Sequence, residues 1–71
     1  MHRLLIVIED AGTNYSAYSP DLPGCVATGA TPDEVKKNMC EAIQLHIRGL
    51  NEDGLPIPTS TSIAEYVVVG A

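Results

Sequence analysis

The chain has 71 residues, 45% of them hydrophobic, and nine acidic against four basic side chains give a net charge of −5. A chain this short buries only about 60% of its unfolded surface, so its core is thin and a second copy or a partner would reinforce it. The acidic balance disfavours direct reading of a phosphate backbone and suits a basic protein partner, and no apolar run approaches the roughly 20 residues of a membrane span.

Residues 3–9 are a short β-branched apolar run that reads as the first strand. Glu9-Asp10 follows the apolar stretch at once, and no small-residue cleavage site is placed to make it a signal peptide. Asp10 to Asn14 is dense in turn formers, so residues 15–18 can pair back as a second strand. Ser19-Pro20-Asp21-Leu22-Pro23-Gly24 cannot be a central strand because Pro20 and Pro23 lack donors, and Pro23-Gly24 fits the middle of a type II turn. Residues 25–29 read as a third short strand.

The helix start is the clearest local signal. Thr31 is an N-cap residue, Pro32 occupies the first helical position and Glu34 the third, the pattern of a capping box. Val35, Met39, Ala42, Ile43, His46 and Leu50 then recur at spacings of three and four, one face of an amphipathic helix. The spacing predicts an end near Asp53, with Gly54 as a left-handed cap and Leu55 folding back on Leu50. Residues 59–62 form a polar linker, and residues 63–69 read as a last strand. The predicted order is β-β-β-α-β, an α+β fold with a three-stranded antiparallel meander, one helix and a final strand, in one domain over residues 1–71.

Two features bear on function. In the first strand Leu4, Ile6 and Ile8 point one way and Leu5 and Val7 the other, and Tyr66 and Val68 likewise oppose Val67 and Val69 in the last. One helix covers one face of such a sheet, so a homodimer or higher homo-oligomer, or a partner protein, is expected on the other. The loop region of Tyr15, Tyr18, Pro20, Asp21, Leu22, Pro23 and Gly24 is the candidate partner-binding surface. Tyrosines give large contact area at small entropic cost, the prolines pre-bend the loop, and Leu22 reads as exposed.

Nothing in the spacing asks for catalysis, a metal or a cofactor. Glu9 and Asp10 are adjacent and point to opposite faces of a strand, and Asp33 and Glu34 are accounted for by the helix start. His46 lies beside the apolar helix face, and neither Cys25 nor Cys40 has a His at dyad spacing. The two cysteines read as reduced, structural thiols of a cytoplasmic protein. No nucleophile elbow, phosphate loop or dinucleotide fingerprint occurs. A small nuclease using metal-bound carboxylates is the minor alternative.

Tyr15 to Cys25 (YSAYSPDLPGC), Gly29 to Glu34 (GATPDE), Asn38 with Glu41-Ala42-Ile43, Glu52-Asp53-Gly54 and Pro56-Ile57-Pro58 together resemble the N-terminal domain of HicB-type antitoxins, in order and spacing, over residues 3–69. The resemblance implies three antiparallel strands, a helix and a further strand, a partial ribonuclease-H-like fold. It also implies a partner, the small basic HicA toxin that cleaves messenger RNA, whose active surface the antitoxin domain covers. Full antitoxins of this family carry a C-terminal ribbon-helix-helix or helix-turn-helix domain. This chain stops at Ala71, so no direct DNA binding is expected of it. The family's fold description does not carry nuclease activity onto these residues, because catalytic carboxylates cannot be matched to them. Short solitary members of the family also exist, so a stand-alone oligomeric binding module without a toxin is the second reading.

Overall fold

A computed structural model describes residues 2–70. Three strands, β1 (Val7–Asp10), β2 (Tyr15–Tyr18) and β3 (Val26–Gly29), form an antiparallel sheet in the order β1-β2-β3, and one helix, α1 (Pro32–Glu52), packs on one face of it. In the β1–β2 hairpin, the Ala11 N–H donates to the Asn14 carbonyl at 2.8 Å and the Gly12 N–H to Asp10 Oδ1 at 2.8 Å.

The first strand is shorter than the apolar run. Its ladder begins at Val7, opposite Tyr18, and residues 3–6 have no strand across from them. The reason lies in β2, which stops at Tyr18 because the next residues turn away. The Leu22 N–H donates to the Ser19 carbonyl at 3.2 Å, and the Cys25 N–H to the Leu22 carbonyl at 3.1 Å. The second of these turns has Pro23 and Gly24 at its centre, with Gly24 at φ +83°, the type II geometry that favours glycine. The buried Ser19 hydroxyl reaches back, donating to the Leu5 carbonyl at 2.8 Å.

The helix forms as its ends dictate. Thr31 Oγ1 accepts from the Glu34 N–H at 3.1 Å, and Pro32 opens the first turn. At the other end Gly54 takes φ +68°, the Leu55 N–H donates to the Leu50 carbonyl at 2.9 Å and the Gly54 N–H to Asn51 at 3.2 Å. Those two bonds make a Schellman cap. Val35 and Met39 are fully buried, with Ala42 and Ile43 packed beside them. Gly29 lets the helix approach: a Cβ there would lie 2.6 Å from the Val35 backbone nitrogen. The core comprises Ala17, Leu22, Cys25, Val35 and Met39, flanked by Leu4, Ile6, Tyr15 and Ala27.

The expected last strand is not formed. Residues 55–70 have no regular secondary structure, and Ile63, Tyr66, Val67, Val68 and Val69 are all at least 79% exposed. A strand exists only through a neighbour that takes its backbone hydrogen bonds, and this segment has none. It projects instead: the radius of gyration is 13.9 Å, against about 11 Å for a compact chain of this length.

Candidate functional site

Alternation along the strands sorts the sheet into two faces. The registers align Ile8, Ala17 and Ala27 in one row, and Asp10, Tyr15 and Gly29 in another. Ala17 and Gly29 are buried and Ala27 and Tyr15 pack against the core, so these rows face the helix. The opposite face carries the rows Val7–Tyr18–Val26 and Glu9–Ser16–Thr28. Tyr18 is 42% exposed and Val26 66%. This outer face is therefore half apolar and half polar, with an acidic residue on its polar row, and no element of the described residues packs over it.

The candidate residues divide between core and surface. Tyr18 is exposed on the outer face, and Pro20, Pro23 and Gly24 are exposed in the loop that joins β2 to β3. Tyr15 does not join them, because it lies three positions from Tyr18 along the strand and so turns to the helix side, where it is half-buried. Leu22, expected to be exposed, is 1% exposed and belongs to the core. The two turns that bracket Leu22 fold it inward while presenting the neighbouring prolines outward. Asp21 is occupied by the chain itself. Its carboxylate accepts from Ser60 Oγ at 2.9 Å, the Thr61 N–H at 3.2 Å and Ser62 Oγ at 3.3 Å. The Thr61 N–H chiefly holds the Asp21 carboxyl below its ordinary value, against an opposing desolvation, and the two serine hydroxyls and the Leu5 backbone add to the lowering. Burial pushes the Cys25 thiol up, which leaves it a poor nucleophile.

Two surfaces were hidden from the sequence. Val7 and Val26 flank Tyr18 only because of the strand register. Leu4, Ile6, Cys40, Ile43 and Ile47 line an apolar groove of about 510 Å³ between the chain's first residues and the helix. Among the described residues, no three or more His, Cys, Asp or Glu side chains are grouped to hold a metal ion, and no helix is long and apolar enough to cross a membrane. The outer face of the sheet and the groove beside the helix offer surface for docking.

Residues 4–69 match the family described as HicB-like antitoxin of bacterial toxin-antitoxin systems. An uncharacterized 14.9 kDa protein of Haemophilus phage HP1 is 40% identical over 62 residues, which are 87% of this chain and 47% of that protein. The chain thus spans about half the length of that relative. A UPF0150 protein of Helicobacter pylori is 41% identical over 49 residues, covering 69% of this chain and 68% of its own length. A UPF0150 protein of Synechocystis is 37% identical over 61 residues, covering 86% and 77%. No solved structure gives a significant match. The match runs through every element of the fold and on into the exposed tail, and on that ground this chain belongs to the HicB-like antitoxin family of bacterial toxin-antitoxin systems.

Proposed function

We propose that this chain is an antitoxin domain that binds and neutralises a small, basic, mRNA-cleaving toxin of the HicA type. The observation that carries the reading is the family match across residues 4–69. The contact is assigned to the outer face of the sheet, where Tyr18 and Val26 form an apolar centre and Pro20, Pro23 and Gly24 a pre-bent rim. Such a centre suits the aromatic anchoring common at interfaces. A net charge of −5 favours fast association with a basic nuclease. Tyr15 and Leu22 act from beneath by holding the strand and loop in place, and Asp21 by fastening residues 60–62. In this reading the domain is cytoplasmic, does no chemistry, and does not itself touch DNA.

The exposed tail supports a second element, self-association into a homodimer or larger homo-oligomer, which a solitary module without a toxin would share. The test is to mix the chain with the HicA-type toxin encoded in a neighbouring reading frame. Loss of RNA cleavage together with a complex on a sizing column supports the proposal. Intact cleavage and two separate peaks refute it.

A further inference from the structure

We propose that the polar row of the outer face, Glu9, Ser16 and Thr28, with the Tyr18 ring beside it, seats one arginine side chain of the protein partner. The inference rests on the toxin-binding reading above and names the side chain that this surface selects.

The carboxylates of the chain differ in what they already do. Asp10 Oδ1 accepts from the Gly12 N–H at 2.8 Å inside its own turn, and Asp21 holds residues 60–62. Asp33 and Glu34 occupy the first turn of the helix. Glu9 is exposed, and the register makes it the one formally charged residue in the two rows of the outer face. It lies two residues from Val7 on the same strand face, about 7 Å along the strand. A partner that covers the apolar row of Val7, Tyr18 and Val26 therefore also takes water from Glu9. Burying a carboxylate without an opposite charge is costly, so such a partner must bring a cation to that point.

The surroundings of Glu9 favour a guanidinium over an ammonium. Ser16 stands directly across from Glu9, and Thr28 directly across from Ser16. Side chains so paired have Cβ atoms about 4.5–5.5 Å apart, which makes the row a line of one carboxylate and two hydroxyls, all able to accept. Tyr18, two residues from Ser16 on the same face, adds an aromatic surface. A guanidinium offers five donors in one plane, stacks on aromatic rings and gives up its water readily, whereas an ammonium is a compact, strongly hydrated charge. The row is also held in place before any partner arrives. Ser16 belongs to the central strand, paired on both sides, and Asn38 Nδ2 donates to the Thr28 carbonyl at 2.8 Å, tying β3 to the helix. Acceptors fixed in advance lose little freedom on binding.

Calorimetric titration with a nuclease-silenced HicA-type toxin, its arginines changed singly to lysine, tests this. Glu9→Gln, with its helical far-ultraviolet signal retained, is expected to weaken the complex about 10-fold or more and to reduce its salt dependence. One Arg→Lys toxin is expected to show a similar loss, and the loss should not increase when it meets Glu9→Gln, the mark of two groups in contact. Equal affinity for Glu9→Gln and wild type, or a set of Arg→Lys toxins none of which couples to Glu9, overturns the arginine seat and leaves toxin binding standing. Absence of binding by the wild type overturns both.

Discussion

The Asp21 carboxylate and the Thr61 amide, 40 positions apart, are joined by a 3.2 Å hydrogen bond that fastens the C-terminal segment to the loop after β2. Ser60 and Ser62 donate to the same carboxylate, so one side chain holds three consecutive residues. Beyond that fastening residues 63–65 line a groove with His2 to Leu5, and the apolar residues that follow stand in water. A loop that reads as binding surface therefore has an internal duty as well.

That fastening is pH-dependent with a definite sign. The folded value of Asp21 is lowered, so its contribution is present above the unfolded value near 3.8 and is lost as pH falls through the lower folded value. The protection factor of the Thr61 amide, its exchange rate set against the intrinsic rate at the same pH, should fall below about pH 4. Asp21→Ala should abolish this titration and leave Thr61 exchanging fast at neutral pH, with the helix intact. A protection factor at Thr61 that matches wild type in that variant would contradict the fastening.

Leu22 and Tyr18 should separate stability from binding. Leu22→Ala empties a buried site and is expected to cost about 2–5 kcal/mol in urea unfolding. Tyr18→Ala removes an exposed ring and is expected to change stability by less than about 1 kcal/mol. Equal costs would mean that the core is drawn in the wrong place.

Gly29→Ala tests the packing of helix on sheet. Its Cβ would sit 2.6 Å from the Val35 nitrogen, closer than atoms tolerate, so the helix start must move. Thermal unfolding should show a loss of about 1–3 kcal/mol, as overpacking costs elsewhere. At Gly49 nothing lies within 4 Å of an added Cβ and the backbone is helical, so Gly49→Ala should stabilise by about 0.5–1 kcal/mol. An opposite ranking of the two would refute the packing.

Thr31→Ala removes the acceptor for the Glu34 N–H and is expected to cost about 1 kcal/mol, with restoration by Thr31→Ser. Denaturant midpoints at constant slope measure it.

Local chemistry was the legible part of this fold. Thr31 and Pro32, the Pro23-Gly24 turn and the Leu50–Leu55 cap each follow from neighbours a few residues apart, where conformational preference decides. What depends on distant partners was not legible. The apolar run at residues 3–9 does not reveal that β2 ends before it can pair with residues 3–6. The strand-like composition of residues 63–69 does not reveal that no neighbour stands beside it. Leu22 between two turns reads as loop surface until the turns are folded and direct it inward. The outer-face row of Val7, Tyr18 and Val26 required the register, and the groove at Leu4 and Ile47 required the helix to be docked. The family resemblance was legible, because it rests on local motifs in order.

Calorimetric titration of the chain into a HicA-type toxin whose nuclease is silenced, with wild type beside Tyr18→Ala, tests the central claim most directly. The account predicts saturable binding by wild type and a complex at least about 10-fold weaker for Tyr18→Ala, the loss typical of an aromatic anchor. Absence of binding by wild type, or equal affinity for the folded variant, would contradict a toxin-binding role for the outer face of this sheet.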